Sequence, residues 1–539
     1  MAGGLAAQLF NVCLRAATWL FLDQLAAYHP PGLVNEGASS VEVIGRFGLW
    51  LIPVATTLGG LLVGFLVQRL APETEGHGTD TVVRAFHRAQ GFLRARVPPV
   101  KLVASALTIG SGGSAGREGP VALVSSGLAS WYATALGRPE RERRMLLLVG
   151  MAAGLAAIFR SPVGTALFAI EVLYLDMEFE PDALLYAMLA SVVAYSVNGM
   201  FVGFKPLFRV SRDVALAHPL DYGWFVVLGV AAGVVALGMP PLFYGVRDAF
   251  RRWGLRAEFK PAVGGLAVGL LALIAPQVLS GGYGWLQAAI DGRLDGWILL
   301  LLLFAEPLAM SLTISSGGSG GVFAPTLLVG GMLGGLLASL AHLPAAPFVV
   351  VGMAAVFAGA AHVPIAVLMM VTEMTGGYDL LVPAALTVML SYLIQVRLSR
   401  GLRYRSLYEA QVPRRADSPA HHTEHLEIAL RILEERHIAG PLPDAHVNLV
   451  TLLRSGIPVE LSDQRRLMVG VVRAQGPLPG MPIGAAAGRL DEETTVITII
   501  RGEHMFAVRP DTVLQAGDRL IVVTTPQGLE RLKPGLDTW

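Results

Sequence analysis

Residues 107–120, LTIGSGGSAGREGP, place a guanidinium, Arg117, and a carboxyl, Glu118, at the end of a glycine-rich turn. Residues 312–325, LTISSGGSGGVFAP, repeat that turn 205 positions later, with Val322 and Phe323 in the two charged places. Nine of the fourteen aligned residues are identical, too many for chance glycine. A glycine-rich turn entering a helix leaves backbone N–H groups unpaired and aims the positive end of the helix dipole, roughly half a charge, ahead of it. Such a terminus holds an anion with fixed partial charges and without burying a full cation. Partial charges also let the ion leave again. Two turns of this kind pointing inward would form one anion site. Glu118 itself mimics an anion, so it can occupy that site and block it until it is protonated or displaced. A buried Arg117–Glu118 ion pair is the competing structural explanation, although adjacent residues on a helix rarely face each other.

Elements able to hold such turns are written along most of the chain. Of 539 residues, 53% are hydrophobic and 15% charged, against roughly 25% charged in a soluble domain. Thirty residues between Lys260 and Asp291, and 66 between Glu306 and Glu373, carry no Asp, Glu, Lys or Arg. Apolar runs above about 18 residues are candidates for crossing a membrane. Residues 1–30 read as a first apolar helix, not as a cleaved leader. Further helical segments are expected near 46–70, 99–111, 119–136, 145–160, 163–175, 183–202, 222–246, 262–279, 297–315, 324–341, 346–360, 364–375 and 380–398. Many are short and broken by Gly or Pro, which hydrocarbon tolerates only where the backbone is buried in protein or lines a wet cavity.

A second duplication supports the first. VGMAAGLAAIFRSPVGTALFAIE (149–171) aligns without gaps on VGMAAVFAGAAHVPIAVLMMVTE (351–373), which equates Pro162 with Pro364 and Glu171 with Glu373. Two motifs in one order at nearly one spacing define repeat halves, about 46–202 and 222–398. Broken segments at matching places in two halves point to a transport site where the halves meet. The expectation is an all-α polytopic membrane protein, an internal duplication with broken helices meeting at a central anion site. Neither a nucleophile–base set nor metal-ligand spacing suggests an enzyme. Cys13 is the single cysteine, no basic run suggests nucleic acid, and no cofactor is expected.

After residue 412 the composition changes. Residues 413–456 read as a polar linker, PRRADSPAHHTEH, followed by an amphipathic helix, LEIALRILEERHI. Residues 457–539 carry strand-like runs, LMVGVV, TTVITII and RLIVV, and form a small α/β domain.

Taken in order, GREGP (116–120), GGVFAP (320–325), SPVGTALFAIEV and VPIAVLMMVTEMTGGY resemble the CLC family of chloride channels and transporters over about residues 45–412. GREGP separates the chain from the family's fluoride-exporting branch. The resemblance implies a homodimer in the cell membrane, multi-pass, built from inverted repeats of tilted helices, with one chloride pathway per subunit and a cytoplasmic C-terminal domain. It implies Glu118 as the gate, with the amides of Gly119, Val322 and Phe323 donating to the anion beside Arg117. Tyr408, in SLYEA, supplies the hydroxyl that reaches the central ion. Two departures matter. The family's first motif, G-S-G-I-P, is GHGTD (76–80) here, so His77 and Gly78 stand where a serine turn holds the anion, and Asp80 brings a carboxylate that could repel it. An inner glutamate that relays protons in family antiporters is replaced by Val172. That replacement favours a gated chloride channel over a chloride/proton antiporter. An antiporter would need another inner acid: Glu171, Glu178 or Glu180. The tail, around VLQAGDRLIVV (513–523), resembles the C-terminal (TrkA-C) subdomain of RCK regulators, which implies dimerisation or an unidentified small ligand.

Overall fold

The computed structural model describes residues 1–210, 221–415, 418–420, 459–460, 466–487, 494–501, 504–507, 511–525, 528 and 534–538. The chain divides into two compact units, Met1–Pro413 and Arg414–Trp539. The expected amphipathic helix at 426–438 lies outside the described residues.

The first unit is helical apart from a short two-stranded ladder, β1 (Tyr28–His29) with β2 (Val43–Ile44). Its first half runs α1 (Ala2–Thr18), α2 (Ile52–Leu70), α3 (Thr79–Arg88), α4 (Val97–Gly110), α5 (Glu118–Ala135), α6 (Glu140–Phe159), α7 (Pro162–Glu171) and α8 (Pro181–Val202). The second half runs α9 (Asp221–Arg252), α10 (Lys260–Ala272), α11 (Tyr283–Ile290), α12 (Gly296–Ser315), α13 (Phe323–Ala341), α14 (Ala345–Ala361), α15 (Pro364–Thr375) and α16 (Leu381–Ser399). Among the described residues seven helices are long and apolar enough to cross a membrane. Others, such as α7 and α15 at 10 and 12 residues, are too short for a straight span of about 20.

Pro162 and Pro364 each open a short helix at its first turn, where a missing N–H costs nothing. Two helices differ from expectation. α3 is amphipathic and charged, so a search for apolar runs passes over it, and α11 hides in the uncharged run after Lys260. The segment expected at 262–279 ends at Ala272, ahead of a short 3₁₀ turn opened by Pro276.

The repeats also pack alike. A Cβ on Gly150 of α6 would come within 2.6 Å of the Ser125 carbonyl on α5, and one on Gly352 of α14 within 2.3 Å of the Gly330 carbonyl on α13. In both halves the hairpin closes through glycine because backbone meets backbone without lipid or side chain between.

The second unit holds an antiparallel sheet in the order β3 (Val459–Glu460), β4 (Arg466–Val472), β7 (Arg519–Thr524), β5 (Thr495–Arg501), β6 (His504–Ala507), with β8 (Leu536–Thr538) also on β4 and a short helix, α17 (Ile483–Ala487), beside them. Met468, Val472, Ile499, Leu514, Leu520, Val522 and Leu536 form its core. At the turn before β7, Gly517 takes φ +85°. The buried Asp518 carboxylate accepts from Arg501 Nε at 2.8 Å, Arg501 Nη2 at 2.9 Å and the Gln515 amide at 2.8 Å.

Candidate functional site

Three turns meet at the centre of the first unit. The amide of Gly116 donates to the Gly321 carbonyl at 2.7 Å and the amide of Gly321 returns the bond at 2.6 Å, an antiparallel bridge between equivalent positions of the two repeats. Gly112 and Gly317, also equivalent, adopt φ +104° and +110°, which an L side chain rarely tolerates. The amide of Ser114 donates to Thr313 Oγ1 at 3.0 Å, and that of Ser319 to Thr108 Oγ1 at 3.3 Å, so each turn is tied by the other repeat's threonine. The third turn joins through Gly76, whose amide donates to the Gly318 carbonyl at 2.9 Å. Gly78, at φ +85°, lets the backbone pass so close that a Cβ there would sit 2.7 Å from the Gly119 carbonyl, and a Cβ on Gly119 would sit 2.1 Å from that of His77. The sequence could not show that GHGTD abuts GREGP.

These contacts bring most of the expected site residues together. Glu118 begins α5 and is fully buried. The hydroxyl of Tyr283 donates to its Oε1. Oε2 makes no full hydrogen bond, while the amides of Glu118 and Ala324 face the carboxylate, and a Cβ added to Gly116 would lie 2.1 Å from Oε2 and 3.0 Å from the Ala324 nitrogen. The carboxylate therefore lies over the amino termini of both α5 and α13, where an anion would bind. Val322 and Phe323 cap and open α13, as Arg117 and Glu118 do α5. Gly119 lies in the first turn of α5.

Arg117 does not pair with Glu118. Its Nη2 donates to Glu36 Oε1 at 2.5 Å and its Nη1 to Asn11 Oδ1 at 3.3 Å. Burial pushes the Glu36 carboxyl up, but Arg117, with Arg160 and Arg15 nearby, outweighs it and holds it below the ordinary carboxylate range. Arg117, Glu36, Asn11, Arg15 and Tyr283 line a cavity of about 480 Å³ beside Glu118. Sequence reading missed Glu36, Tyr283 and Lys101. The last was visible as a lone cation inside the apolar run VPPVKLVASAL; it is fully buried, and its Nζ donates to the carbonyls of Thr74 at 3.0 Å and Gly76 at 2.6 Å.

Deeper in, His77 and Tyr408 stack edge-on with ring centroids 5.3 Å apart, and Phe168 of α7 and Phe323 of α13 flank the tyrosine at 6.3 and 6.4 Å. The Asp80 amide points at His77 Nδ1 at 3.4 Å, which makes Nδ1 the acceptor and puts the ring proton of the neutral tautomer on Nε2. The buried Tyr408 hydroxyl and Thr79 Oγ1 face each other, and neither makes a full hydrogen bond among the described residues. Two under-satisfied hydroxyls beside the His77 ring suit a bound anion, because orphaned donors are costly in a dry interior. Asp80 is turned away: its Oδ1 accepts the Ala410 amide at 2.7 Å and its Oδ2 meets Arg84 at 3.0 Å. It fastens the loop that carries Tyr408.

Val172 is buried; its amide donates to the Phe168 carbonyl at 3.0 Å and its carbonyl accepts from Gln411 Nε2 at 3.0 Å, so its side chain brings no polar atom to this place. Of the candidate inner acids, Glu171 accepts the amides of Ile365 at 3.2 Å and Ala366 at 2.7 Å, capping α15. Glu373 mirrors it, accepting from Val163 and Gly164 at the start of α7 and from Ser161 Oγ. Glu180 accepts from the buried Tyr174 hydroxyl at 2.8 Å, two residues beyond Val172.

A duplicated bundle of broken helices whose amino termini converge on one buried carboxylate, with seven helices among the described residues apolar enough to cross a bilayer, is the architecture of an integral membrane protein. Residues 59–396 match the family model described as "Voltage gated chloride channel", and the chain belongs to that chloride-transporting family. Residues 468–534 match the TrkA-C domain. The H(+)/Cl(−) exchange transporter ClcA of Cronobacter sakazakii is 31% identical over 370 residues, covering 65% of this chain and 78% of that protein. ClcA of Salmonella agona is 32% identical over 359 residues, covering 63% and 75%. Among solved structures, a slow cyanobacterial Cl−/H+ antiporter superposes with TM-score 0.64 at 22% identity, over 75% of this chain and 93% of its own. A CLC-type fluoride/proton antiporter gives 0.61 at 24% identity, over 77% and 98%. These two share the fold. The relatives are transporters, not enzymes.

Proposed function

We propose that the protein exchanges chloride for protons through a pathway that Glu118 closes by lying in the anion's own place. The observation that carries the gate is the position of its carboxylate over the amino termini of α5 and α13, held by no counter-cation of its own. His77 Nε2, the Tyr408 hydroxyl and the amides of Gly119, Val322 and Phe323 receive the chloride, with Gly78 allowing the close approach and Arg117 fixed at the entrance. Support for exchange over passive conduction comes from the relatives, which are named exchangers. With Val172 unable to carry a proton, the inner acid is Glu180, bonded to Tyr174 just behind that position. Glu171 is committed to capping α15. The family's homodimer, the cell membrane as location and a cytoplasmic tail acting in dimerisation or ligand sensing belong to the same proposal. No cofactor is assigned.

The second reading is a gated channel, which Val172 favours. Proteoliposomes with a chloride gradient separate the two: exchange drives protons uphill at a fixed ratio, and a channel leaves them at equilibrium. In either case Glu118→Gln should raise chloride flux and remove its pH dependence. A Glu118→Gln protein identical to the parent in both would end the gate assignment.

A further inference from the structure

We infer that Tyr283 is the latch of the gate, a positioning residue that holds Glu118 in its closed place from the outer side. This rests on the reading of Glu118 as the gate. Tyr283 opens α11, the short helix that follows the left-handed Gly282, and its ring stands at the boundary between the outer cavity and the closed pathway. Its hydroxyl donates to Glu118 Oε1 across 165 residues of sequence. The Arg117 guanidinium lies over the ring, 5.1 Å from its centroid, and is itself fixed by Glu36 and Asn11. A cation on the ring face draws electron density from the phenol and makes its O–H a better donor. Phe208 packs against the same ring at 5.8 Å, so the hydroxyl is aimed by packing as well as by charge.

The groups facing Glu118 are few. Arg117 comes from its own turn, Tyr283 from α11 and Tyr408 from the loop after α16, with Glu36 reaching it only through Arg117. Of these, only Tyr283 makes a side-chain hydrogen bond to the carboxyl. A donor to a carboxylate favours the ionised, anion-mimicking form. The latch therefore stabilises the closed gate, and its hydrogen bond has to break before the carboxyl can swing out or take up a proton. Glu36, Arg117, Tyr283 and Glu118 form one line of contacts from the cavity to the gate, so the solution filling that cavity acts on the gate through it.

Tyr283→Phe removes one oxygen and keeps the ring against Arg117 and Phe208. Chloride efflux from proteoliposomes between pH 4.5 and 8 is compared for the parent, Tyr283→Phe, Glu118→Gln and the double variant. Loss of one hydrogen bond to a charged group shifts the half-maximal flux about one pH unit upward, about ten-fold in the closed fraction at fixed pH. The double variant should coincide with Glu118→Gln, because the latch has nothing left to hold. A Tyr283→Phe profile that overlays the parent while Glu118→Gln does not would overturn the latch and leave the gate standing. A Tyr283→Phe shift that persists in the Glu118→Gln background would overturn it too, since the tyrosine would then act on the pathway by another route. If Glu118→Gln itself behaves as the parent, the gate reading fails and takes the latch with it.

Discussion

Replacing Glu171 with glutamine or alanine separates a cap from a proton carrier. The carboxylate is fully buried and accepts two amides at the start of α15, from Ile365 at 3.2 Å and Ala366 at 2.7 Å. Alanine leaves both donors buried without a partner, at about 1–3 kcal/mol each, so the loss is about 2–6 kcal/mol. Glutamine keeps one acceptor oxygen and turns its NH₂ towards the second amide, which costs about half as much. Thermal denaturation in detergent, followed by the loss of the monodisperse peak, should rank the proteins parent, then Glu171→Gln, then Glu171→Ala. Reconstituted Glu171→Gln should move protons and chloride in the same ratio as the parent, since a cap that stays in place carries no proton. A Glu171→Gln protein of parental stability that has lost proton movement would refute this reasoning and make Glu171 the inner acid in place of Glu180.

Two further outcomes test other parts of the structure. Asp80→Ala frees the Ala410 amide and with it the Tyr408 loop; chloride affinity measured by calorimetry should fall several-fold, whereas a carboxylate facing the ion would make affinity rise on removal. Asp518→Ala strips three donors of their acceptor at the turn before β7 and should lower the stability of the tail by about 2–4 kcal/mol, read by proteolysis of the full chain, with flux unaffected on this account.

The repeat was legible because duplication writes one local solution twice. Gly112 and Gly317, Pro162 and Pro364, and Glu171 and Glu373 each answer a backbone demand that recurs in both halves. The turn before β7 was legible for a similar reason: Gly517 and Asp518 solve a problem within four residues. What stayed hidden was set by tertiary contact. Tyr283 is 165 residues from the carboxyl it holds, and Glu36 is 81 from Arg117. No period or spacing links such partners. Asp80 looked as if it would repel an anion, because its sequence neighbours place it at the site while its true partner, the Ala410 amide, is 330 residues away. Lys101 could be seen in the sequence, but the carbonyls it satisfies could not.

The bridge between Gly116 and Gly321, with the threonine–serine bonds beside it, acts as a seam across the molecule's pseudo-dyad. Sliding one half past the other would tear every stitch at once, among groups that are buried from solvent. On the reading proposed above, the scaffold is the fixed part and the Glu118 side chain the moving one.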